Sequence, residues 1–100
     1  MFGFVKTKKS EIREKTVYME IYGENKVAYK VLSVRMNLYG DDIITYGIEV
    51  VDHISGEKEI IPDFSHNIED AVSFADELIS AKIRPRQLYG KALGFLRVSI

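Results

Sequence analysis

At Pro62 the apolar residues of this chain change their period. Before it they alternate: Val17, Met19, Ile21; then Val27, Tyr29, Val31; then Ile44, Tyr46, Ile48, Val50. After it they recur at helical spacing: Ile68, Ala71, Val72, Ala75, Leu78, Ile79. A period of two lays alternate side chains on one face of a sheet, and a period of 3.6 lays them along one stripe of a helix. The chain therefore reads as a run of strands followed by helices. The predicted fold is α+β: a four-stranded antiparallel meander with two C-terminal helices packed on it.

Turn chemistry divides the first half into strands at about 13–22, 27–37, 43–52 and 57–61. Gly23-Glu24-Asn25-Lys26, Tyr39-Gly40-Asp41-Asp42 and His53-Ile54-Ser55-Gly56 close three hairpins, since Gly and Asn adopt positive φ at little cost. Residues 1–12 read as a flexible arm before a single domain over 13–100. A helix is predicted over 67–82, with Asn67 as N-cap and Glu69 and Asp70 in the first turn, where carboxylates favour the positive end of the dipole. Pro85 suits a first helical position and opens a second helix over 85–98, with Leu88, Ala92, Phe95 and Leu96 on one side. Gly90 and Gly94 each weaken that helix by about 1 kcal/mol relative to alanine, so it needs docking. Their small-xxx-small spacing allows a close helix approach.

One helix layer covers one sheet face. If Val17, Met19 and Ile21 face it, the opposite face of the first strand shows Thr16, Tyr18, Glu20 and Tyr22, and that of the third shows Ile43, Thr45, Gly47, Glu49 and Val51. The second strand is mixed on both sides. A fully solvated face alternates more sharply, so the second face is expected to be partly covered, by the last helix or by a second subunit. Gly47 leaves a gap on one face where another backbone can approach.

The 100 residues suffice for one domain. Charged residues are 29% and apolar residues 46%, a globular composition. The absence of cysteine removes disulfides, thiolate nucleophiles and cysteine-ligated metal sites. No apolar run approaches the roughly 20 residues that span a bilayer, and the N-terminus lacks the order of a secretory signal; a cytoplasmic location is the expectation. Phe2, Phe4 and Val5 ahead of Lys6, Lys8 and Lys9 form too short a segment to hold a membrane surface firmly, and no membrane partner is expected.

Charge is unevenly spread. Residues 1–15 carry five basic and two acidic groups, residues 16–80 four and thirteen, and residues 81–100 five basic groups and no acid. The two basic ends are expected to neutralise the acidic middle.

No constellation points to catalysis. Asp52-His53 and Asp63 with His66 are the only histidine–carboxylate neighbours, and neither has metal-ligand spacing. No serine sits in a Gly-x-Ser-x-Gly setting, and no glycine loop cradles phosphate. No enzyme activity, catalytic residue, metal or cofactor is expected. The stretch Lys82-Ile83-Arg84-Pro85-Arg86-Gln87-Leu88-Tyr89 is basic with an interleaved aromatic, which suits phosphates and bases, but the isoelectric point of about 6.1 is low for a nucleic-acid domain. The leading expectation is a small interaction or regulatory protein acting as a homodimer or on a protein partner. Arg84, Arg86, Tyr89, Tyr18 and Tyr22 are its candidate contact residues. Nucleic-acid binding through the basic C-terminal segment is the alternative.

Tyr46-Gly47-Ile48, the short hairpin after it, the polar loop and amphipathic helix, and Pro85-x-x-Leu88 opening the last segment resemble a family of short uncharacterised Firmicutes proteins with a domain of unknown function. The resemblance spans residues 14–98. It implies the same fold and a bacterial source, and it brings no activity and no site residues.

Overall fold

A computed structural model describes the backbone of residues 10–99, with side chains described over 14–37 and 39–95. The expected arm, Phe2, Phe4 and Val5 included, lies outside those residues except at its end. The first strand, β1 (Ser10–Tyr22), begins three residues before the expected boundary. It is followed by β2 (Val27–Leu38), β3 (Asp41–Asp52), β4 (Lys58–Ser65), α1 (Ile68–Ala81), a 3-10 turn at Pro85–Gln87 and α2 (Leu88–Ser99). The strands form one antiparallel sheet in the order β1-β2-β3-β4, so β1 and β4 are its edges. This is the meander with two helices that the change of period predicted.

Val27, Tyr29, Val31, Ile48 and Val50 turn to the face covered by the helices, hereafter the inner face. There they form one cluster with Phe64, Ala71, Phe74, Ala75, Leu78, Ile83, Leu88 and Ala92. Phe64 and Phe74 stack with centroids 4.6 Å apart, and Phe95 tilts onto both at 5.6 and 5.2 Å. Leu88, Ala92 and Phe95, one helical turn apart, dock α2 onto this cluster.

Asn67 caps α1 as its position predicted, its side chain accepting from the Glu69 N–H at 2.9 Å. The helix ends when Lys82 takes a left-handed conformation (φ 52°) and the Ile83 N–H donates to the Leu78 carbonyl. That reversal drops Ile83 into the core, 1% exposed.

Three local readings of the sequence need correction. First, β4 does not stop at Pro62 but runs to Ser65. Proline is tolerated because β4 is an edge strand and needs no second ladder of N–H donors. Between Ile48↔Ile61 and Tyr46↔Ser65 the register shifts, and β4 bulges opposite Gly47. A Cβ on Gly47 would stand 2.7 Å from the Ile61 and Pro62 carbonyl oxygens. The gap read at Gly47 is thus filled by the backbone of β4.

Second, Val17 does not share a face with Met19 and Ile21. The register of β1 shifts between Val17 and Met19, and the extra residue, Tyr18, reverses the alternation. Val17 pairs with Leu32 and points to the outer face, half exposed.

Third, the β2–β3 hairpin turns on Tyr39 and Gly40 alone, both at positive φ (54° and 91°). Asp41 and Asp42 already belong to β3, paired with Leu38 and Asn37. A two-residue turn with both φ positive matches the twist of the flanking strands.

β2 resolves the mixed pattern noted in its sequence. Up to Val31 its large apolar residues, Val27, Tyr29 and Val31, are the odd ones, and they face the helices. From Leu32 its even residues, Leu32, Val34 and Met36, form a separate buried cluster with Ile43 and Ile60 on the outer face. Beyond the helices the inner face is polar: Arg35 lies 3.4 Å from Glu14 and 3.7 Å from Asp42, and the Asn37 amide donates to Asp42 at 3.2 Å. The sheet thus changes its buried side half-way along its strands. This gives a body of 47 × 32 × 22 Å.

Candidate interaction surface

The segment after α1 is tied to the sheet by side chains from two hairpin ends. Tyr29, fully buried, donates its hydroxyl to the Ile83 carbonyl at 2.8 Å and accepts from the Asn25 amide. That amide also reaches the Lys82 carbonyl at 3.4 Å, while Asn25 Oδ1 accepts from the Val27 N–H. Asn25 therefore serves the β1–β2 turn with its side chain; the positive φ falls on Lys26 (65°).

Asp52 is the second tie. Its side chain is 4% exposed, yet it is fully bonded. Oδ1 accepts from the Ile54 and Ser55 N–H groups of its own turn at 2.9 and 3.2 Å. Oδ2 accepts from Arg84 Nη1 at 2.6 Å. The two backbone donors, with the Arg84 guanidinium beside them, hold its carboxyl below the usual carboxylate range against the opposing effect of burial.

These contacts decide what the candidate residues can do. Arg84 is committed to Asp52, and Arg86 lies 3.2 Å from Glu57 at the start of the β4 hairpin arm. Both arginines thus neutralise acids of the middle segment. Tyr89 projects from the first turn of α2 and donates its hydroxyl to the Ile60 carbonyl at 2.7 Å, yet half of it stays exposed. Tyr18 and Tyr22 lie on β1, the opposite edge of the sheet. Three strand spacings of about 4.8 Å separate β1 from β4, so Tyr18 on β1 and Tyr89 beside β4 do not share one site. Tyr22 rests its ring against His53 at 4.9 Å, and Tyr18 is exposed at the β1 bulge.

The histidine–carboxylate neighbours do not assemble into chemistry. The Thr45 hydroxyl, buried, lies 2.5 Å from Asp63 Oδ1 and 3.0 Å from the Ser65 carbonyl, with one proton to share between them. His66 Nε2 lies 3.6 Å from the same Asp63 oxygen. The carboxylate stands between hydroxyl and imidazole, whereas activation of a hydroxyl needs the imidazole in contact with it. His53 lies at the other end of β4. Among the described residues no group of three or more histidines, aspartates and glutamates could hold a metal ion.

What does assemble is an apolar groove that the sequence reading did not find as such. Ile61 and Phe64 of β4 and Tyr89, Ala92 and Leu93 of α2 line a cavity of about 230 Å³, with Asp63 at its rim. Leu93 is 64% exposed and Tyr89 51%. Leu88, Ala92 and Phe95 form the docked stripe of α2; Tyr89 and Leu93, one helical turn apart, begin a second one that faces outward. A Cβ built on Gly90 or Gly94 would meet no atom within 4 Å. No contact among the described residues uses either glycine's lack of a side chain. Two other clefts among the described residues carry more charged side chains: one of about 440 Å³ has Asp76, Glu77, Ser80 and Lys91 in its lining, and one of about 360 Å³ has Tyr22, Glu24, Ser80 and Lys82.

No protein-family model matches the chain, and neither a curated protein nor a solved structure does. Among the described residues no helix is long and apolar enough to cross a membrane.

Proposed function

We propose that this is a small non-enzymatic interaction protein that forms a homodimer through the outward stripe of α2 and the groove beside β4. The observation that carries the reading is Leu93. It is a large aliphatic side chain, 64% exposed at the mouth of an apolar groove, on a helix whose other side is already docked. Apolar residues concentrated beside a groove mark contact surfaces more than scattered ones do. Gly90 and Gly94 support it: each weakens the helix, neither is needed by the described contacts, and both permit a second helix to approach closely.

The nucleic-acid reading through residues 82–97 has less behind it. Its two central arginines are paired with Asp52 and Glu57, and the acids of α1, Glu69, Asp70, Asp76 and Glu77, lie exposed on the neighbouring helix.

The test is sedimentation equilibrium at high micromolar concentration. The wild-type chain should be dimeric, and Leu93→Asp should be monomeric with the thermal midpoint the wild-type chain has when diluted to monomer, because the side chain is mostly in solvent. A wild-type chain that is monomeric throughout, or a dimer indifferent to Leu93→Asp, overturns the proposal. Retention on a polyanion column that falls steeply with salt and is lost in Arg84→Ala/Arg86→Ala would instead support the nucleic-acid reading.

A further inference from the structure

The two edges of the sheet are built differently. β4 is 8 residues long, contains Pro62 and a bulge, and its Ile60 carbonyl accepts from the Tyr89 hydroxyl of α2. Short length, proline, a bulge and a covering element are the devices that keep an edge strand from pairing further. β1 is 13 residues long, contains no proline and pairs only with β2 among the described residues. Along its free side the backbone presents N–H and C=O groups that no described strand uses. α1 packs over β2, β3 and β4, and on β1 Val17 is 49% exposed, Tyr18 61% and Tyr22 58%.

We propose that the β1 edge takes an extended segment of a partner protein as a further antiparallel strand, one that reads base, apolar, acid at alternate positions from its N-terminus. Charge sets that order. Lys15, Val17 and Glu20 lie on the outer face, opposite Val34, Leu32 and Lys30. Tyr18, the extra residue of the bulge, stands beside Val17, so the row reads cation, apolar pair, anion. Lys15 and Glu20 are both exposed, and neither has an ion-pair partner among the described residues. An antiparallel strand runs the other way, so its base meets Glu20 and its acid meets Lys15. Main-chain bonds supply the affinity of such an added strand, and alternate side chains supply its specificity. The register shifts between Ile12 and Glu14 and between Val17 and Met19 select the kind of partner. They break the edge into short runs, which a flexible segment can follow and the equally bulged edge of a second folded sheet cannot. The surface lies at the opposite edge from the α2 groove, so the proposal does not rest on the dimer.

The probe is a short fluorescein-labelled peptide of alternating threonine and valine, with lysine before and glutamate after a central valine in place of its valine neighbours. Its binding to the full-length protein is read by fluorescence anisotropy. The wild-type chain should bind it saturably, and about tenfold more tightly than the peptide with lysine and glutamate exchanged. Lys15→Glu combined with Glu20→Lys should reverse that preference, and Leu93→Asp should keep it. Amides of residues 14–22 that point away from β2 should exchange freely in the protein alone and become protected when the peptide is bound. No saturable binding, equal binding of the two peptides by the wild-type chain, or loss of binding in Leu93→Asp overturns the proposal. So does protection of those amides without peptide, which would mean that the edge is already taken by the chain itself or by a second copy.

Discussion

Asp52 is where one residue does most to hold distant parts of the chain together. It bonds to two N–H groups of its own turn and to Arg84 beyond α1. Its carboxyl is held below the ordinary value in the fold and returns to about 3.9 in the unfolded chain. The stabilisation is therefore complete above about pH 4 and is lost as pH falls through the lower folded value. The thermal midpoint of the wild-type protein should fall more steeply between pH 4 and pH 2 than that of Asp52→Asn, which should already be less stable at neutral pH; parallel acid limbs would contradict the assignment. The sequence showed Asp52 beside His53, a neighbour pair without metal-ligand spacing, and gave no sign of what Asp52 bonds. Its partner lies 32 positions away, and no local pattern announces an ion pair of that span.

At the scale of elements, the β3–β4 pairing depends on one missing side chain. Gly47 lets the Ile61 and Pro62 carbonyls pass within 2.7 Å of where a Cβ would be. Those are backbone atoms and cannot swing aside. Gly47→Ala should cost about 3 kcal/mol, measured by urea denaturation, whereas Gly56→Ala should act only through the strain of its positive φ, since no atom lies within 4 Å there. The sequence made a neighbouring backbone at Gly47 legible, because a glycine among β-branched residues is a local signal. It hid the bulge, since Pro62 reads as a stop wherever the partner strand is unknown. Likewise the helices were plain from Asn67, the 3.6 period and Pro85, but the groove beside β4 was not. It is made by two elements whose mutual placement depends on Phe64, Phe74 and Phe95 meeting in three dimensions.

Across the whole molecule there are two apolar clusters of unequal size on opposite sides of one sheet. The inner holds thirteen buried residues and the outer three, counted among those described. Native-state hydrogen exchange should resolve them: amides of 27–31 and 48–50 should exchange only on global unfolding, and those of 33–37 through a smaller opening. Uniform protection along β2 would show that the clusters unfold as one. The inversion was written in the sequence of β2, where the large apolar residues are odd up to Val31 and even from Leu32. Read as one strand with one buried side, it looked like noise. In β1 the bulge at Tyr18 makes the same change of side with an extra residue, which a strict period of two cannot express.

Asp52 also implies an order of assembly. One of its oxygens closes a turn whose donors lie within three residues, so that contact forms as soon as the β3–β4 hairpin does. The other must wait for a guanidinium that follows the whole of α1. A contact of short sequence span closes at a smaller entropic cost than one that must first order α1. The turn-facing oxygen of Asp52 is therefore the local half of its bonding and the Arg84-facing oxygen the long-range half, which should open first when the segment after α1 detaches.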